Sequence, residues 1–281
     1  MGIICQTCIH HCSLKSGQYG LCGARKNENG SINCANYGRI TALALDPVEK
    51  KPLKMYAPGS TVLSVGSYGC NLRCPFCQNH EISMARADQP ASLRSTAYLS
   101  PQELCRKALS CQDRGCIGAA FTYNEPLVGW EYVRDAASLV KEKGMKNVLV
   151  TNGTASLQVL NEILPYIDAM NIDLKGFRSD YYKKLGGDLE TVKQFIVHAV
   201  QAGCHVELTT LIVPKENDDP AQMEAEARWI AQNCGTGTPL HVTRFFPRYH
   251  MTDKNATDVQ SVYRLANVAG KYLEHVFVGN C

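Results

Sequence analysis

The chain is 281 residues long, 45% hydrophobic and 20% charged, with a formal net charge of +3. Those values are ordinary for a folded protein and exclude disordered, collagen-like and strongly basic nucleic-acid-binding classes. No apolar run reaches the roughly 18 residues of a membrane span or offers a secretory signal, so a cytoplasmic protein without membrane or nucleic-acid partners is expected.

The sequence holds 14 cysteines. Without an export signal, that enrichment points to thiolate ligands for metal rather than to disulfides. Cys5, Cys8, Cys12 and Cys22 crowd the N-terminus. Four thiolates suffice for a closed zinc site or for a cubane iron–sulfur cluster, and ligand count does not separate the two. Structural zinc suits a stretch so poor in apolar residues, because metal binding then supplies its folding energy. His10, His11 and Cys34 are spare ligands. Residues 1–60 therefore read as a Cys-rich metal-binding appendage, with strand-like pieces near 31–34 and 39–45. The run D-P-V-E-K-K-P at 46–52 reads as the connection out of it.

From 61 to 281 short apolar runs alternate with amphipathic stretches. Strands are expected at 61–65, 117–122, 147–151, 169–174, 205–213, 240–245 and 276–278. Helices are expected between them at 101–112, 129–143, 156–163, 189–202, 220–233 and 257–270, several opened by Ser, Pro or Asp. This is an α/β pattern, a partial or full (β/α) barrel, although a doubly wound sheet alternates in the same way.

Cys70, Cys74 and Cys77 follow the first of these strands, at the carboxyl edge where barrels carry their chemistry. Three thiolates hold three irons of a 4Fe-4S cubane and leave the fourth open for an exogenous ligand; zinc is the competing occupant. Asn124 and Glu125 end the next strand, and Thr151 and Asn152 the one after. Asp173 and Lys175, two apart on a strand, share one face. His241 is expected at the barrel mouth, where a bound ligand or substrate would lie.

G-C-N-L-R-C-P-F-C-Q-N at 69–79 resembles the signature of the radical S-adenosylmethionine superfamily. Together with C-Q-T-C-I-H-H-C, D-P-V-E-K-K-P-L, F-T-Y-N-E-P, V-T-N-G, N-I-D-L-K and L-H-V-T-R-F-F-P, the chain resembles the AmmeMemoRadiSam system radical SAM enzymes, relatives of pyruvate formate-lyase activating enzyme. The resemblance implies an oxidoreductase whose 4Fe-4S cluster splits S-adenosylmethionine into methionine and a 5′-deoxyadenosyl radical, which takes a hydrogen atom from a substrate. It implies Asn124 and Glu125 near the methionyl amino group, Thr151 and Asn152 near the ribose, Lys175 on the carboxylate and Asp173 organising the site. An electron donor such as flavodoxin or ferredoxin goes with this chemistry. Val150 departs from the pattern, standing where activating enzymes tend to carry an Asp before T-N-G. Two other readings stay open: activation of a glycine in a partner protein, and a non-catalytic iron–sulfur carrier or metal scaffold.

Overall fold

A computed structural model describes residues 2–89 and 96–281. Its centre is one eight-stranded sheet: β1 (Ala42–Pro47), β2 (Thr61–Gly66), β3 (Cys116–Phe121), β4 (Lys146–Thr151), β5 (Ala169–Asp173), β6 (His205–Ile212), β7 (Leu240–Arg244) and β8 (Val276–Gly279). The strands lie in chain order, β2 to β8 all parallel and β1 antiparallel to β2. A doubly wound sheet reverses its order at a switch point; this one never does, so it is a barrel left open between β1 and β8.

Among the described residues, six helices of seven residues or more follow the parallel strands: α1 (Pro101–Leu109), α2 (Trp130–Glu142), α3 (Leu157–Ile163), α4 (Leu189–Gln201), α5 (Pro220–Asn233) and α6 (Val259–Ala269). Their starts follow from short polar side chains that accept from otherwise orphaned backbone N–H groups. Ser100 and Glu103 form a reciprocal capping box, and Ser156, Asp188, Asp219 and Asp258 cap α3 to α6. Strand alternation divides the interior in two. Leu63, Phe121, Leu149, Met170, Leu208 and Val242 face outward and form the main core with the helices. Val62, Ala120, Val148 and Ala169 face inward and meet Val48 and Leu53.

Val48 belongs to the stretch 46–52 that reads in the sequence as a linker, and Leu53 follows it directly. The structure makes it a strap: after β1 the chain crosses the amino ends of the parallel strands and closes the floor of the barrel, with Asn171 Nδ2 donating to Pro52 O at 2.9 Å. β1, which falls within residues 1–60, is thus part of the large sheet. The remainder of the N-terminal segment carries two small hairpins, Ile3–Ile4 with Ser13–Leu14 and Arg25–Glu28 with Ser31–Cys34. The helix Ser179–Lys184 has no counterpart among the expected elements, being too short for periodicity to reveal.

Candidate active site

The loop after β2 carries the three cysteines, and its neighbours hold its backbone from several sides. Asn124 Nδ2 donates to Tyr68 O and Gly69 O at 3.2 and 2.9 Å, and Asn124 Oδ1 accepts from Ser67 N at 3.0 Å. Arg73 donates to Cys70 O at 2.7 Å and Leu72 O at 2.8 Å. Gly69 has φ +89°, and a Cβ there would stand 2.5 Å from Cys22 O. Only glycine lets the N-terminal segment come this close.

Leu72, Phe76, Tyr181, Leu185, Val213, Phe245 and Met251 surround Cys70, Cys74 and Cys77 with apolar surface. Burial in this shell pushes the Cys70 and Cys74 thiols up, Cys74 to about 11, so that with no cation on them both stay protonated near neutral pH. A metal deprotonates its thiol ligands. Three soft donors on one loop, a dry shell and no hard oxygen among them fit an iron–sulfur cluster.

Beside the cysteines opens a cavity of about 360 Å³, bordered also by Glu125, Val150, Thr151, Asn152, Asp173 and Lys175. The carboxyl ends of β3, β4 and β5 deliver these side chains to one place. Glu125 is 1% exposed. It accepts from Thr151 Oγ1 at 2.8 Å, Asn152 N at 2.7 Å and Leu127 N at 3.1 Å, and burial nevertheless pushes its carboxyl up to about 7. No cation reaches it among the described residues. Lys175 Nζ lies 2.7 Å from Asp173 Oδ2, and that partner holds the ammonium charged although burial opposes it.

The expected site residues therefore separate by what their side chains do. The Asn124 amide is fully engaged in bracing the cysteine loop. The Asn152 amide donates to Asn71 Oδ1 at 2.9 Å and reaches Cys70 Sγ at 3.7 Å, while its Oδ1 accepts from Thr154 N and Oγ1. Val150 borders the cavity in place of an Asp. His241 is displaced from the expected position. As the second residue of β7 it lies at the amino end of the barrel, where Nε2 bonds Glu207 Oε2 at 2.7 Å and the ring packs on Phe277. The motif located the strand correctly, but which end a strand residue occupies depends on where the strand begins.

Sequence reasoning missed the strap's contribution. Lys51 is 3% exposed, borders the cavity, pairs with Asp46 at 2.8 Å and stands 4.9 Å over the Tyr123 ring. Tyr123 takes φ 75°, unusual for a non-glycine residue, and donates to Asp46 Oδ2 at 2.8 Å. The D-P-V-E-K-K-P motif was the available signal; a linker has no need of a buried lysine.

At the N-terminus Cys5, Cys8 and Cys22 are buried and Cys12 is partly so. Among the described residues no three His, Cys, Asp or Glu side chains converge closely enough to hold a single metal ion. Also among them, no helix is long and apolar enough to cross a membrane.

The family model described as the Radical SAM superfamily matches residues 64–227. An uncharacterized protein of Methanocaldococcus jannaschii, MJ0808, is 38% identical over 98% of this chain and 80% of its own length. The pyruvate formate-lyase-activating enzyme of Clostridium pasteurianum is 30% identical over 58% of this chain and 66% of its own. Among solved structures, Streptococcus suis SuiB superposes with a TM-score of 0.60 at 16% identity, over 77% of this chain and 48% of SuiB.

Proposed function

Because the chain belongs to the radical SAM superfamily and is therefore an enzyme, we propose that it binds a 4Fe-4S cluster on Cys70, Cys74 and Cys77 and cleaves S-adenosylmethionine reductively, generating a radical that abstracts a hydrogen atom from a substrate. When bound, the cluster supplies an iron with an open coordination position and the electron that splits the carbon–sulfur bond. Everything else is the work of side chains. The observation that carries the reading is Glu125: a fully buried carboxylate, with hydrogen-bond donors but no cation, at the strand end next to three clustered thiols. A buried carboxylate without a counter-ion is destabilised and gains by binding a positive group, such as the amino group of an amino acid. Lys175, held charged by Asp173, suits the carboxylate of the same ligand. Thr151 and Asn152 hold Glu125 in place, and the apolar shell of the cysteine loop keeps water from the reacting atoms.

The test uses anaerobically reconstituted protein with dithionite and S-adenosylmethionine. Methionine and 5′-deoxyadenosine should form; no product above a Cys74→Ala control sinks the proposal. A second reading, in which the substrate is a glycine in a partner protein, draws on the similarity to an activating enzyme. Its check is deuterium transfer into 5′-deoxyadenosine from a glycine-deuterated partner peptide.

A further inference from the structure

The N-terminal cysteines lie against the cluster loop, through contacts that the cleavage reaction as described does not use. Cys5, Cys8 and Cys22 are 5%, 8% and 6% exposed. Two turns bring them together. Cys5 N donates to Cys12 O at 2.9 Å, joining the ends of the first turn, and the second, carrying Cys22, is closed by Gly20 N on Arg25 O at 2.8 Å. Cys12 Sγ lies against Gly20 on that second turn. The donor set is thus four thiols on two facing turns, with the neighbouring His10 turned elsewhere, its Nε2 bonding Asn71 O at 2.7 Å.

From this group a path of direct contacts leads to Cys70. His10, two residues after Cys8, bonds Asn71 O through Nε2 at 2.7 Å, Asn71 Oδ1 accepts from Asn152 Nδ2 at 2.9 Å, and Asn152 Nδ2 reaches Cys70 Sγ at 3.7 Å. Asn71 and Asn152 are 1% and 5% exposed, so the path is dry. At the far side Cys12 is partly exposed, and the apolar side chains of Ile4 and Leu21 are 45% and 38% exposed, so one edge of the group meets solvent.

We infer that Cys5, Cys8, Cys12 and Cys22 hold a second iron–sulfur cluster, and that the electron for S-adenosylmethionine cleavage enters the protein there. This rests on the proposed radical chemistry at Cys70, Cys74 and Cys77. Zinc has no redox chemistry and draws four donors to about 2.3 Å around one point, whereas a cubane spreads its thiolates over four corners. A path of direct contacts to a cluster ligand serves electron transfer and adds nothing to a folding staple.

The balance is simple. A low-potential flavodoxin or ferredoxin loses one electron, which passes by way of the N-terminal cluster to the cluster at Cys70. It then enters the sulfonium, whose carbon–sulfur bond breaks. Methionine leaves as a neutral thioether with its lone pair restored, and the 5′ carbon keeps one electron.

The experiment compares full-length wild type with Cys5→Ala/Cys8→Ala and with Asn71→Leu, all reconstituted anaerobically. Wild type should carry about eight irons and eight sulfides per chain, the cysteine variant about four, and Asn71→Leu about eight. Dithionite, small enough to reduce the site cluster directly, should drive cleavage in wild type and the cysteine variant within about threefold, while Asn71→Leu, which alters the cysteine loop itself, is read by its ratio of flavodoxin-driven to dithionite-driven rate. Reduced flavodoxin should drive both variants at least tenfold more slowly than wild type. Four irons with one zinc in wild type overturns the inference, as does an unchanged flavodoxin-driven rate in both variants. Failure of dithionite-driven cleavage in wild type strikes the proposed function instead, and leaves the iron count as an independent reading of the N-terminal site.

Discussion

Both ends of the barrel bury a carboxylate, and the two are treated in opposite ways. At the floor, Glu207 is wholly buried and accepts from His205 Nε2, His241 Nε2, Lys54 N and Met55 N, at 3.0, 2.7, 2.9 and 2.8 Å. Those donors overcome burial and hold its carboxyl down, at about 2. At the mouth, Glu125 has donors only from a hydroxyl and two backbone amides, and burial prevails, raising its carboxyl to about 7. The floor carboxylate is a completed structural joint between β6, β7 and the strap. The mouth carboxylate has no counter-ion among the described residues, which agrees with the proposed binding of a cation there.

Four substitutions break or sharpen that contrast. The largest effect is expected from Cys74→Ala, which should leave the fold intact yet lower dithionite-driven cleavage about a thousandfold or more, because two thiolates do not retain a cubane; the measurement is 5′-deoxyadenosine by chromatography. Glu207→Ala should destabilise the protein by about 3–5 kcal/mol, since it leaves two imidazoles and two strap amides without their acceptor. Denaturant titration reads this, and cleavage per folded molecule should change little; an activity loss that exceeds the loss of folded protein would place the floor in the reaction.

Glu125→Gln should weaken S-adenosylmethionine binding by about 10- to 100-fold, or roughly 1.4–2.7 kcal/mol, by removing one charge-assisted contact. The pH dependence carries the sign. With a carboxyl titrating near 7, wild type presents a neutral acid below that pH and an anion above it, so affinity should rise as pH climbs through about 7. The Gln variant should lack this dependence, and a wild-type affinity flat between pH 6 and 8 would argue against Glu125 as the partner of the amino group. The unliganded protein follows the opposite sign: a raised carboxyl favours folding below its unfolded value near 4.5, and that contribution is lost as pH rises through about 7. The smallest effect is His205→Ala. His205 is partly exposed and Glu207 keeps three other donors, so about 1 kcal/mol of stability should be lost.

Much of the fold was legible because it rests on local periodicity. Short apolar runs marked β2 to β8, and short polar caps marked the starts of the helices, since both are signals carried within a few residues of chain. Ser179–Lys184 escaped because one and a half turns carry no period. Cys70, Cys74 and Cys77, with Glu125, Thr151, Asn152, Asp173 and Lys175, were legible as residues at strand ends, a property of position along the chain. What each side chain does there was not. Asn124 was expected on the ligand and instead braces the loop, because its amide finds Tyr68 O and Gly69 O, which lie more than fifty residues away in sequence.

The sequence by itself determined the order and type of the elements, the thiol-rich loop after the first parallel strand, and the chemical nature of the donors. Only the tertiary structure decided that the strands follow one another without a switch point, that residues 48–60 close the floor, that His241 serves Glu207, and that Asn71 and Asn152 join the N-terminal segment to the cysteine loop. The physical reason is range. Periodicity, capping and ligand type are settled within a few residues of chain, whereas the partner of a buried polar group is whichever donor or acceptor the closed barrel brings beside it, and that is a property of the whole sheet.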